Sequence, residues 1–328
     1  MVLDTNNTIS NHAIASQALE NQRFSRYQFL SKNIKNWHKN PKIIFVLVVL
    51  SWSTSWIVAK MQIGVVPVEL SAGYRFFFAG LILLIYSFYK KLNFKFSKKE
   101  WQLIAVQGAC VFSINHFFFL YAMYYISSGI VAALFSLSIL LSAGFNFILY
   151  KTKTDIKIII GGAIGIIGLG LVFANEVKNV GFNFDAFRGI IFCFIGVSLF
   201  SLSACITERQ GPSKDFISKT SMAMIFGALI SFIFIILRGQ QFTFDFSFKY
   251  IFALTYLILV PGIIGFLGIL YLISKIGGSK AGYTSLIYPV GALILSALFE
   301  NYHFGYASIL GLIMIISGNY LALRSKKN

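Results

Sequence analysis

Residues 156–174 read IKIIIGGAIGIIGLGLVFA, and residues 306–323 read YASILGLIMIISGNYLAL. Crossing the roughly 30 Å hydrocarbon core of a bilayer takes about 20 mostly apolar residues, so each stretch is a membrane span. Laid over one another with a shift of 150 residues, they place Gly161 on Gly311 and Gly168 on Gly318. The register continues upstream without a gap, with Tyr121 on Tyr271 and Leu134–Ile139 on Thr284–Pro289. A shift of 148 lays Trp52, Ser53 and Ser55 over Phe200, Ser201 and Ser203. The repeated unit is five spans long. Because five is odd, the second copy enters the membrane from the opposite face, and inverted halves around a midplane site are the recurring plan of secondary transporters.

Composition demands the same environment. Of 328 residues, 57% are hydrophobic and 12% charged, with a mean hydropathy of +0.75. A soluble domain carries about 25% charge, so this chain cannot cover a water-facing surface. Ten apolar segments follow, approximately 43–63, 70–89, 101–123, 130–150, 156–174, 189–207, 220–237, 250–273, 281–299 and 306–323. The fold class expected is an all-α polytopic membrane protein, ten transmembrane helices as two inverted five-helix repeats. Its parts are a polar, basic cytoplasmic tail (1–42), a first repeat (43–174) and a second (175–328). The tail reads as preceding an uncleaved anchor, since a signal peptide would begin with a short apolar run and a small-residue cleavage site.

The net charge of +17 would raise nucleic acid as a partner in a soluble protein. Here it orients the chain. With the N-terminus inside, 22 Lys and Arg fall in inside segments and four outside (Lys178, Arg188, Arg238, Lys249), leaving Lys60 and Arg75 embedded. The positive-inside rule then places both termini in the cytoplasm of a bacterial inner membrane. Cys110, Cys193 and Cys205 lie in apolar stretches without C-x-x-C spacing, so no disulfide framework or metal site is expected.

The opening Leu50-Ser51-Trp52-Ser53-Thr54-Ser55-Trp56-Ile57-Val58-Ala59-Lys60, followed by Pro67 and Arg75, resembles the first-helix pattern of the drug/metabolite transporter superfamily, specifically its EamA-type ten-helix members. In the second half, Gly278-Ser279-Lys280-Ala281, then Tyr288-Pro289 and Glu300, resembles the same family's small-residue, Pro and terminal Glu pattern. The resemblance runs from Ile43 to the C-terminus. Ile139 stands where the pattern has Pro, and Tyr150-Lys151 where it has Gly-Glu, which leaves the subfamily and the substrate open.

Trp52, Trp56 and Lys60 fall on one helical stripe with Ser55 beside it. Its rings could stack on a planar or cationic ligand or simply pack between helices, while Lys60 could snorkel to the headgroups. Asn115 and His116 lie well inside the third span, where polar groups are costly and functional by default. His116 could shuttle a proton or sit neutral in a helix–helix hydrogen bond, and the resemblance favours Asn115 as a ligand contact. Ser138, Ser142 and Asn146 repeat every fourth residue, either lining a cavity or joining helices, with Ser138 and Tyr288 favoured as lining and Tyr283 beside them. Ser203 joins the lining through its match to Ser55. Glu208 ends the sixth span at the position equivalent to Lys60. The pair suggests latches at opposite ends, Glu208 meeting Lys275 or Lys280, and Lys60 meeting Glu69. Arg75 reads as a structural anchor bonded to carbonyls, Pro261 as a permitted bend, and Pro289 as structural. The repeated glycines read as packing residues, leaving room for a homodimer face.

No P-loop, H-E-x-x-H, G-x-S-x-G or intramembrane carboxylate pair is present, and no cofactor is expected. The function expected is secondary transport of small metabolites by alternating access, with amino acids or zwitterionic or nucleoside-like derivatives as substrates and export as the leading direction. Abundant Lys, Ile, Phe and Asn points to an AT-rich genome, common in host-dependent bacteria, which makes uptake of a host metabolite the competitor. A membrane-embedded enzyme built on Asn115, His116 and Glu208 is the rival from another class. The lining expected is aromatic and hydroxyl-bearing without carboxylate or arginine, so polyanions are expected to be excluded.

Overall fold

The computed structural model describes residues 40–151, 155–180, 184–208, 215–276, 281–300 and 305–324. The polar tail to Lys39 and the Gly278–Lys280 motif lie outside them. The chain divides into Met1–Ile44, of which only the start of the first helix is described, and Phe45–Asn328, which holds the rest of that helix and every later one. Helix α1 (Pro41–Lys60) opens on a proline, whose missing N–H costs nothing at a helix start. After α2 (Val68–Tyr89), the third crossing is α3 (Lys98–Val111) and α4 (Ile114–Ala122), the fourth α5 (Ser128–Phe135) and α6 (Ser138–Tyr150), and the fifth α7 (Ile156–Val180). The second half runs α8 (Phe184–Glu208), α9 (Phe216–Leu237), α10 (Phe248–Leu259), a π-helical turn (Val260–Gly265), α11 (Phe266–Ile276), α12 (Thr284–Phe299) and α13 (Tyr306–Leu323). Among the described residues seven crossings are long and apolar enough to span a membrane, and three shorter apolar helices lie within α7, α12 and α13. The described residues contain no strand. The chain is an all-helical polytopic membrane protein.

The crossings break where the backbone is deprived of its regular bonds. Pro261 has no N–H to give, and the helix widens into a π turn there. The third crossing breaks at Ser113 (φ −145°, ψ −90°), whose hydroxyl lies 3.0 Å from Ser231 Oγ of α9. A shift of 150 residues carries this break into Val260–Gly265. Both crossings also start alike: Ser97 caps α3 with Glu100 in a reciprocal capping box, and Ser247 Oγ accepts from the Tyr250 N–H at 3.3 Å. Lys219 Nζ lies 2.6 Å from Glu100 Oε1, and the equivalent positions in the other half are Ser71 and Tyr250, whose hydroxyls meet at 2.9 Å.

Packing follows the repeat. Each half's second and fifth helices pair with their counterparts, α2 against α9 and α7 against α13. At the second of these pairs Gly161 meets the Gly318 backbone and Gly168 meets that of Gly311. Since Gly161 corresponds to Gly311 and Gly168 to Gly318, the two contacts exchange under the repeat, as they must across a two-fold interface. These glycines therefore serve contact within one chain. Elsewhere large apolar side chains such as Ile85, Ile148, Ile166, Ile233 and Ile313 stand exposed around the bundle, an extent of apolar surface that only lipid covers.

Candidate functional site

The first helix of each half packs into the other half. Ser53 Oγ on α1 donates to the Tyr288 carbonyl of α12 at 3.1 Å, and Ser201 Oγ on α8 donates to the Ser138 carbonyl at the start of α6 at 3.2 Å. Ser53 and Ser201 correspond under the 148-residue shift, and Ser138 and Tyr288 under the 150-residue shift, so this is one contact made twice. Helix α1 thereby lies against the π turn as well: a Cβ on Gly265 would stand 2.8 Å from Trp52 Nε1, so glycine is what admits the indole.

Around α1 the aromatic side chains close into a circuit. Starting from Phe76 on α2, ring follows ring through Phe112, Phe266, Trp52, Tyr288, Phe135, Trp56, Phe119 and His116 and returns to Phe76, with centroids 4.6–6.3 Å apart. Most neighbours meet edge-on or tilted, the favoured geometry for quadrupolar rings. Both repeats contribute. Along the circuit lie buried polar atoms with no hydrogen-bond partner among the described residues: Trp56 Nε1, Tyr288 Oη, Ser51 Oγ beside Trp52, and Nε of Arg75 beside Phe76. Ser203 Oγ on α8 is likewise buried without a partner, on a residue outside the circuit. Leaving a buried donor unsatisfied costs about 1–3 kcal/mol, so the unpartnered atoms beside the rings are candidates to receive a solute's polar groups; others, such as Gln62 Nε2, Thr220 Oγ1 and Asn319 Nδ2, belong to residues outside the circuit.

The sequence-chosen residues divide accordingly. Trp52, Trp56, His116 and Tyr288 belong to the circuit. Asn115 is buried behind it, its Oδ1 2.8 Å from His116 Nδ1, a hydrogen bond when the imidazole proton is on Nδ1. Ser55 is occupied within its own helix, donating to the Trp52 carbonyl at 2.8 Å. Of the Ser138–Ser142–Asn146 stripe, Ser138 and Ser142 tie α6 to α8, Ser142 Oγ donating to the Ser201 carbonyl at 3.4 Å, while the Asn146 amide donates to the Ser142 carbonyl within its own helix. Tyr283 sits against Tyr320 of α13, with ring centroids 6.0 Å apart, and has no ring contact with the circuit. Pro261 begins the π turn and Pro289 lies inside α12 next to Tyr288. The phenylalanines of the circuit, with Ser53 and Ser201, escaped sequence reasoning. The serines carried a signal, because they coincide under the repeat; the phenylalanines are too common in this chain to stand out.

At the end of the bundle bearing Lys60, that lysine does not meet Glu69 as expected. Its Nζ lies 3.0 Å from Glu300 Oε1, while Glu300 Oε2 accepts from Ser296 Oγ (2.5 Å), Ser128 Oγ (2.7 Å) and the Ser128 N–H (3.0 Å). The reason is that α1 packs on α12 and so carries Lys60 to the end of that helix. Burial pushes the Glu300 carboxyl up, but the serine hydrogen bonds and the Lys60 charge outweigh it and hold it below the ordinary carboxylate value. Glu69 is buried and engaged elsewhere, accepting from Arg238 Nη1 at 2.6 Å and from the Tyr121 hydroxyl at 2.5 Å. Helix α8 ends at Glu208, but that side chain and Lys280 lie outside the described residues, so the second latch does too. Arg75 is buried without the carbonyl bonds expected of an anchor: its guanidinium carbon lies 4.9 Å over the Phe76 ring, which puts an arginine where none was expected. Among the described residues no three His, Cys, Asp or Glu come together as a metal site.

The chain matches the EamA-like transporter family twice, over residues 41–174 and 187–324, and belongs to that family, within the drug/metabolite transporters. It is 25% identical to YetK of Bacillus subtilis, an uncharacterized transporter, over 84% of each chain. It is also 25% identical to PagO of Salmonella typhimurium, over 86% of this chain and 92% of PagO, and to an uncharacterized transporter of Buchnera aphidicola, over 76% and 82%. A crystal structure at 18% identity superposes with a TM-score of 0.62 over 86% of this chain and 96% of its own, a likeness of fold. The protein is a multi-pass membrane transporter.

Proposed function

We propose that the protein is an inner-membrane secondary carrier that exports small metabolites, amino acids or zwitterionic or nucleoside-like derivatives, by alternating access between its two five-helix halves. What supports this reading most is the aromatic circuit, drawn from both halves and bordered by unpartnered polar atoms. Rings that line a path bind delocalised or apolar parts of a solute, and the scattered hydroxyl, indole and guanidinium donors receive its polar ends. Halves joined by matched contacts such as Ser53–Tyr288 and Ser201–Ser138 can exchange equivalent arrangements at little energetic cost, which is what alternating access requires.

Uptake into proteoliposomes of a labelled amino acid, its phosphorylated analogue and a nucleotide tests the substrate class. The amino acid should cross unchanged in mass, whereas efficient passage of the phosphorylated species would overturn the reading. Trp56→Ala should weaken binding of a transported solute by about 1–2 kcal/mol, the scale of a desolvated cation–π or stacking contact, roughly 5- to 30-fold. An affinity equal to wild type would return Trp56 to packing. The lysine and arginine bias supports a reading with both termini in the cytoplasm. Single cysteines at Asn179 and Gln240 should then react with an impermeant reagent in intact cells, and those at Lys95 and Lys214 should not; the opposite pattern would reverse the orientation.

A further inference from the structure

Arg75 stands on α2, two turns from the Val68 end and therefore roughly 10 Å into the bundle at 1.5 Å per residue. It is 8% exposed. Its Nε has no hydrogen-bond partner, and the ion pairs of the described residues engage Lys60, Arg188, Lys219 and Arg238 but leave Arg75 without a carboxylate. An arginine cannot escape this by losing its proton, and an unpaired buried charge is strongly unfavourable. The guanidinium rests on Phe76, and the same ring meets His116 of the circuit at 4.6 Å. The positive charge therefore adjoins a ring of the circuit that the carrier reading assigns to the solute.

We infer that Arg75 is the carboxylate-binding residue of the transport site, so that the solute carried bears one carboxylate set against the guanidinium. This rests on the carrier reading and narrows it. The planar fork of a guanidinium matches the two oxygens of a carboxylate. One arginine neutralises one negative charge, and a phosphate dianion would leave the second uncompensated. The ammonium of an amino acid, by contrast, needs no carboxylate here, since the faces of Trp56 and its neighbours attract a cation.

The full-length protein in liposomes is treated with phenylglyoxal, which modifies arginine, and the peptide carrying Arg75 is followed by mass spectrometry. Benzoate and its neutral isostere benzamide are the probes. Benzoate should slow modification of Arg75 at least fivefold, benzamide should not, and Arg188 should react equally with either. Failure of Arg75 to react, or equal rates with both probes, would overturn the assignment. Benzoate binding read by tryptophan fluorescence should weaken at least tenfold in Arg75→Gln and recover in part in Arg75→Lys; wild-type affinity in Arg75→Gln would also overturn it. The two readings fail separately. A solute that crosses liposomes in a Trp56-dependent manner while Arg75 goes unprotected defeats only the arginine assignment, and protection of Arg75 in a protein that carries no solute defeats only the carrier.

Discussion

Gly318→Ala should destabilise the protein by about 3 kcal/mol, the upper range for forcing a methyl group into a packed contact, lowering its melting temperature by roughly 5–10 °C at this chain length. The added Cβ would meet the Gly161 carbonyl oxygen, with Gly165 N at 2.9 Å. These are backbone atoms, so relief requires α7 and α13 to separate along their length. Gly161→Ala should cost a similar amount, and the double variant less than the sum, because both remove the same contact. Gly165→Ala is the control. It lies on the same helix with nothing within 4 Å of the added carbon and should be neutral or slightly stabilising, alanine being the better helix former. Equal melting temperatures for Gly318→Ala and Gly165→Ala would refute the close pairing of α7 and α13.

Glu300→Ala should cost about 2–4 kcal/mol. It removes the acceptor of Ser128 and Ser296 and the counter-charge of Lys60, and losing one partner of a buried pair is expensive. The value falls short of a fully buried pair because the Lys60 side chain is 34% exposed. The pH dependence has a definite sign. With the Glu300 carboxyl held below its ordinary value, its contribution is complete above the ordinary carboxylate range and is lost as pH falls through the folded value. Wild type should therefore lose stability on acidification more steeply than Glu300→Gln, and parallel pH profiles would contradict this.

The same pair bears on the transport cycle. Lys60–Glu300 joins the ends of α1 and α12. If that end faces outside, Lys60→Gln should raise labelling by an impermeant maleimide of a cysteine placed at Ser55, without loss of folding. Glu208→Gln should act in the opposite sense at the other end. Unchanged labelling in both would make these ordinary helix-end charges.

Helices, their order and their five-span repeat were legible in the linear chain because each rests on a local or periodic property. Apolar length sets a crossing, proline sets a break, and a constant shift of 150 residues exposes two copies. Even the repeated glycines could be recognised as contact residues. Their partners could not, because aligning Gly161 with Gly311 says that they are equivalent, whereas the crossing of α7 and α13 brings Gly161 to Gly318. Side-chain pairing shows the same divide. Glu69 is nine residues from Lys60 and looked like its mate, yet the lysine reaches Glu300, 240 residues away, because Ser53 and Gly265 seat α1 in the other half. The circuit of rings is likewise a property of six separate chain segments converging, and no spacing along one helix encodes it. Arg75 changed meaning for that reason. One turn and more into an apolar helix it read as an anchor to carbonyls, and only the packed bundle places its unpaired guanidinium on Phe76, a ring of the circuit. Local sequence carries hydropathy and backbone chemistry, while the choice among distant partners of similar charge or shape belongs to the packing of helices against one another.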